Sequence, residues 1–130
     1  MALPPFDGGA QETSALIAAD KVKGAKVYNA NGENLGEIDD LMIDKRSGHV
    51  AYAIMSFGGF LGVGDKHHPL PWSILTYDTE KGGYVVNLSR AVLEKAPSFA
   101  AGAPPAWGDR EYEASIHDYY GVNPYWGPLW

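Results

Sequence analysis

Cysteine is absent from the 130 residues, which excludes disulfides, zinc–thiolate sites and a cysteine nucleophile. Basic residues are sparse: 10 Lys and Arg stand against 16 Asp and Glu, for a net charge of −6. No Lys/Arg-rich run offsets that balance, so a phosphate-backbone partner is disfavoured and no nucleic acid is expected. Long apolar runs are missing as well. The longest stretch free of charged residues and histidine, Val50 to Gly64, has 15 residues and is broken by glycines. A spanning helix wants about 20 mostly apolar residues. Met1 to Ala10 hold two prolines and lack both the basic start and the continuous apolar stretch of a secretory signal. The expectation is a cytoplasmic protein without membrane insertion.

What is present is globular. The chain is 45% hydrophobic, 12% aromatic and 20% charged, enough for one domain with its own core. Three segments differ in composition: a leader over 1–16, a middle segment over 17–88 rich in turns and in β-branched or aromatic runs, and a C-terminal extension over 89–130.

The middle segment reads as about six short strands with a turn every 8 to 12 residues, the pattern of a small barrel or sandwich. Lys26-Val27-Tyr28 meets Asn31-Gly32, which predicts a type I′ hairpin turn. In the next strand, Leu35 to Asp44, the apolar positions change parity between Ile38 and Leu41/Ile43. A β-bulge near Asp39-Asp40 restores a single inward face. The third strand, His49 to Phe57, is apolar on both parities, so something must cover its second face. The C-terminal aromatics are the candidates. Lys66 to Trp72 follows as a strand whose Pro69 and Pro71 cannot donate ladder hydrogen bonds, which places it at an edge or makes it short.

In the extension, Ser89 predicts the N-cap of a helix ended by Pro97. A second helix fits Asp109 to Tyr120 with Gly121 at its C-terminal cap, and Tyr112, Ile116, Tyr119 and Tyr120 form its apolar stripe.

Taken together, Lys26-Val27-Tyr28, Asn31-Gly32-Glu33, Leu35-Gly36-Glu37-Ile38, the turn and strand from Asp44 to Tyr52, and Val63-Gly64-Asp65-Lys66 through Pro71-Trp72-Ser73 resemble the PRC-barrel domain. The resemblance runs from about Ile17 to Leu88. It implies a small, mainly β PRC-type barrel carrying a helical, aromatic C-terminal extension that packs on it. The family's known settings are the cytoplasmic subunit of the photosynthetic reaction centre and a maturation factor of the small ribosomal subunit, where the barrel serves assembly. The implied role is a non-enzymatic interaction module with an unidentified protein partner.

Individual residues offer little chemistry. The glycines of Gly58 to Gly64 lack the helix and the Lys-Ser/Thr pair of a phosphate loop, and read as a hairpin connection. His67 and His68 are candidate metal ligands, but adjacent strand residues point to opposite faces, so no metal is expected. Asp39, Asp40 and Asp44 read as a solvated bulge and turn. No nucleophile elbow exists, and Ser115, His117 and Asp118 do not face one another on a helix. Neither a catalytic residue nor a cofactor is expected.

The tail carries the main functional signal. Between Trp107 and Trp130 lie seven of the chain's aromatic residues, three of its four tryptophans among them. Clustered aromatic surface marks interfaces. Tyr119, Tyr120, Tyr125, Trp126 and Trp130 are the expected interaction residues, and a homodimer is the expected assembly. Gly59, Pro71 and Trp72 are the positions expected to matter most for the fold. The competing reading is a small-molecule or metal-ion binder that uses a groove between barrel and tail, with His67, His68 and Trp72 near its mouth.

Overall fold

A computed structural model describes residues 12–57, 66–100, 103 and 105–126. Gly59 and the rest of the glycine-rich connection lie outside these residues. A short helix α1 (Ala19–Val22) leads into β1 (Lys26–Asn29), β2 (Asn34–Ile43), β3 (Val50–Phe57) and β4 (Lys66–Pro71). A 3-10 turn (Trp72–Ile74) follows, then β5 (Thr76–Asp78), β6 (Gly83–Val86), α2 (Arg90–Glu94), β7 (Phe99–Ala100) and α3 (Arg110–Tyr120). The seven strands make one sheet in the order β5-β6-β1-β2-β3-β4-β7. Six were expected; the seventh is the two-residue pairing of β7 with Lys66 and His67. All pairings are antiparallel except that of β1 with β6.

One apolar cluster gathers Val27, Leu35, Ile38, Ala53, Met55, Leu70, Tyr84, Val86 and Leu93, with Tyr77 against it. Side chains from β5 and from β4, far apart in the strand order, meet in that cluster, so the sheet is rolled around one core as a small barrel requires. Each of these aliphatic side chains contributes about 1.5–3 kcal/mol by leaving water.

The expected bulge is present. Ile38 pairs with Met55 and Asp40 with Ile54, which leaves Asp39 as the extra residue. A second irregularity lies between Val27 and Tyr28, opposite Gly36 and Asn34. These two shifts let Leu35, Ile38 and Leu41 all face the core although they alternate in parity. Ile43 departs from expectation: a further register shift after Met42 turns it out, and it is half exposed.

The first hairpin also differs. The Gly32 amide donates to the Asn29 carbonyl at 3.0 Å, so Ala30 and Asn31 are the central pair and Gly32, at φ 83°, follows them. The Asn29 side chain accounts for the longer loop. Its Oδ1 accepts from the amides of Asn31 and Glu33 and holds a compact turn that Asn31-Gly32 alone would not specify.

β4 lies next to β7, which reaches only Lys66 and His67. Among the described residues no strand borders Pro69 or Pro71 on that side, and both prolines sit where no ladder donor is needed. Trp72 belongs to the 3-10 turn rather than to the strand, and packs on Tyr84 with ring centroids 5.3 Å apart.

Both helices of the extension start and stop on the expected residues. The Ser89 side chain accepts from the Val92 amide, and Asp109 from that of Glu111. Gly121, at φ 68°, closes α3 in the left-handed conformation.

Candidate functional site on the outer face of the third strand

β3 is covered on both sides. Ala53 and Met55 enter the barrel core, while Ala51, Tyr52 and Ile54 form a second cluster with Ile116 of α3. Partly buried Met42, Phe99, Trp107, Tyr112, Tyr120 and Tyr125 surround that cluster. A turn sets the approach of the tail: the Asp109 amide donates to the Ala106 carbonyl, and Gly108 takes φ 93°. That positive φ is what a type II turn demands of its third residue. The turn lays the Trp107 ring 5.4 Å from Tyr52, while Tyr125 meets Tyr52 edge-on at 5.7 Å.

The side of α3 that meets the sheet takes in Tyr112, Ile116 and Tyr120 of the expected stripe but not Tyr119, and adds two polar residues. Glu113, Ile116 and His117 are the buried residues, and Tyr119 is exposed. Ile116 is the one fully apolar anchor, and its helical neighbours three back and one ahead come in with it. Counting apolar residues alone passes over both polar neighbours.

Each is paired with the sheet. The Tyr52 hydroxyl donates to Glu113 Oε1 at 3.0 Å and lies 2.8 Å from His117 Nε2. The three side chains are 1%, 4% and 2% exposed. Glu113 Oε2 additionally accepts from the Gly108 amide at 3.4 Å. Burial, and then Glu113, push the Tyr52 hydroxyl well above the ordinary phenol range. Burial also holds His117 below the usual histidine value, against the opposing pull of Glu113, the Asn123 carbonyl and Asp118. In front of this group the Arg110 guanidinium lies 4.1 Å from the Trp126 ring centroid and 5.8 Å from that of Tyr125. A groove of about 210 Å³ opens here between β2, β3 and the tail, lined by Tyr52, Trp107, Arg110, Glu113 and Tyr125 among others.

The expected interaction residues therefore divide. Tyr120 lies between the two apolar clusters, and Tyr125 packs against the second. Tyr119 and Trp126 remain 39% and 37% exposed. Trp130 lies outside the described residues. His67, His68 and Trp72 do not line the groove between barrel and tail. His68 is wholly buried against Phe57, and burial depresses it to about 4. His67, on the opposite face, stacks on Phe99 and meets Asp39 Oδ2 at 3.2 Å.

Asp39 also lies 3.3 Å from the Ser56 hydroxyl. In this trio the carboxylate stands between serine and histidine, whereas a nucleophilic serine needs the histidine in the middle. Among the described residues, no three His, Cys, Asp or Glu side chains gather as a metal site. Asp44 caps its own turn, accepting from the Ser47 hydroxyl at 2.7 Å.

The chain belongs to the PRC-barrel domain family, whose model matches residues 15–93. The match takes in β1 to β6 and most of α2 and stops before β7 and α3, so of Tyr52, Glu113 and His117 only Tyr52 falls inside it. No curated protein matches the chain. Among solved structures, one described as a 16S ribosomal RNA processing protein, RimM, from Pseudomonas aeruginosa is 21% identical over 63% of this chain, with a TM-score of 0.39. The aligned part is 49% of that protein, so this chain spans about half its length. No helix among the described residues is long and apolar enough to cross a membrane.

Proposed function

We propose that the chain is a non-enzymatic protein-interaction module of the cytoplasm that self-associates through the flank formed by α2 and α3. The observation that carries this reading is the pair Val92 and Tyr119. Both are 39% exposed, and the Tyr119 hydroxyl donates to the Val92 carbonyl at 2.6 Å. An aromatic side chain that is presented to solvent and already fixed loses little conformational freedom on binding, which suits an anchor of an interface. Membership of a family whose barrels serve assembly points the same way. RNA processing belongs to the RimM protein; the net charge of −6 argues against a phosphate-rich partner for this chain.

Sedimentation velocity across a wide concentration range tests the proposal. The mass should rise from 14.0 kDa toward twice that value, and Tyr119→Ala should shift the rise to higher concentration while the chain keeps its fold by circular dichroism. A monomer at every concentration would remove the self-association reading. The groove beside Tyr52 and Arg110 favours a second reading, a small polar ligand. A ligand held there would raise the melting temperature with its own concentration, as RT ln(1 + [L]/Kd) requires.

A further inference from the structure

We propose that Tyr52, Glu113 and His117 form an acid-sensitive latch that holds α3 on the outer face of β3, and that protonating His117 releases it.

The argument begins with protons. Glu113 Oε1, the Tyr52 oxygen and His117 Nε2 stand in a row at 3.0 and 2.8 Å, and two hydrogen bonds in such a row need two protons. Tyr52 supplies one. That one goes to Glu113, so the second is the Nε2–H of His117, which donates to the tyrosine oxygen. Neutral histidine completes the row, and its Nδ1 is left as a bare lone pair. That nitrogen is buried with no hydrogen bond of ordinary geometry, although the Asn123 carbonyl is near. A proton added there brings a full positive charge into a site where the ring is 2% exposed.

The surroundings bear on that charge from each side. On α3, Glu113 and Asp118 favour it, while Arg110 adds a second cation at the entrance. From the C-terminal segment come the rings of Tyr125 and Trp126, 6.2 and 5.5 Å from His117. From β3 comes the neutral Tyr52. Asp44, just past β2, lines the groove but is engaged in its own turn. On β4, His67 shares the sheet face with Tyr52 but is paired with Asp39. Burial outweighs the favourable neighbours, so His117 is held below its ordinary value. Once α3 leaves the sheet, the same ring is hydrated and titrates normally near 6.5.

The sign follows. The undocked state binds the proton more readily, so docking is fully favoured above the ordinary histidine value and weakens as pH falls through the lower value of the docked ring. Release is local because, besides the latch and the Tyr119 hydroxyl on the Val92 carbonyl, α3 is held only by a small apolar contact with Tyr112 and Tyr120 at its margin. Ile116 is its one fully buried apolar side chain, and among the described residues Tyr120 is the one packed against both clusters.

Hydrogen exchange on the full chain at pH 7.5 and 5.5, scaled for the intrinsic chemistry, reads this directly. Amides of Arg110–Tyr120 should lose protection on acidification, by at most about tenfold per pH unit, and should stay less protected than those of β3 and β4. His117→Gln, whose amide N–H can still donate to Tyr52 but does not titrate, should remain protected at both pH values. Equal protection of wild-type α3 at the two pH values would overturn the latch, as would a variant that keeps the wild-type response. Amides of α3 that open no more readily than those of β3 and β4 at pH 5.5 would also overturn it, because exchange through global unfolding then accounts for both. Should the variant fail to fold, a ring-nitrogen NMR titration of the wild-type chain decides. His117 titrating below 6.5 supports the latch, and titration at or above 6.5 overturns it.

Discussion

Tyr52 and His117, 65 residues apart in the chain, are joined by a 2.8 Å hydrogen bond inside the seam between β3 and α3, beside buried Glu113. A tyrosine in that position fills space with its ring and still needs a partner for its hydroxyl. The tail brings that partner.

Tyr52→Phe keeps the ring and removes the bridge, leaving a buried carboxylate and a buried imidazole without their shared partner. The expected loss is about 1–3 kcal/mol, read from the urea midpoint. Ile116→Ala, which opens a cavity in the same seam, should cost about 2–5 kcal/mol. Equal stability of Tyr52→Phe and wild type would mean that water replaces the hydroxyl at no cost.

Among the described glycines, Gly36 makes the tightest backbone approach. A Cβ on it would stand 2.1 Å from the Ser56 carbonyl oxygen, across the β2–β3 ladder, where neither backbone can yield. Gly48, in the turn that follows Asp44, has open space around it and φ 78°. Gly48→Ala should therefore cost only about 1–2 kcal/mol of left-handed strain, and Gly36→Ala clearly more. Parallel thermal melts of the two variants check the order.

Buried His68 should contribute to the acid limb of global stability. Its folded value, about 4, lies below the ordinary 6.5, so the stability it permits is complete above pH 6.5 and is lost as pH falls toward 4. His68→Leu should leave stability at pH 7 little changed and flatten the decline between pH 6.5 and 4. Denaturation curves at several pH values measure this. An unchanged slope would assign the acid limb to other groups.

Ser89 is the N-cap of α2, accepting from the Val92 amide at 3.2 Å. Ser89→Ala should cost about 0.5–2 kcal/mol. Arg90, one residue on, bonds Glu33 at 2.8 Å and the Asn34 carbonyl at 3.0 Å, tying the helix to the first hairpin. That ion pair is exposed, so Glu33→Gln should cost less than about 1 kcal/mol, and less still in high salt.

Much of this architecture is legible in the residues themselves. The parity change from Ile38 to Leu41 can be met in a strand only by an extra residue, and Asp39 is that residue. Apolar residues on both parities of β3 require two covered faces, and both are covered. Asp109 and Gly121 mark the ends of α3 because caps are local chemistry. What the sequence hides are polar residues that face inward. Glu113 and His117 look like solvated helix positions until the Tyr52 hydroxyl is placed opposite them. One signal was available: Ile116 can reach a sheet only if the residues three before it and one after it come along. Ile43 and the first hairpin differ for a similar reason, since the register shift after Met42 and the Asn29 side chain act through hydrogen bonds that apolar spacing does not report.

The parallel pairing of Val27 with Tyr84 has a consequence for assembly. The β2–β3–β4 meander joins neighbours in sequence, so its loops close at small entropic cost. β1 instead pairs on one side with a strand made almost at the end of the barrel. During synthesis from the N-terminus, Val27 has no parallel neighbour until the chain has been extended past Tyr84. The first strand of the barrel to be made is thus among the last to be enclosed, and the long-range closure that encloses it is the kind of contact that slows folding.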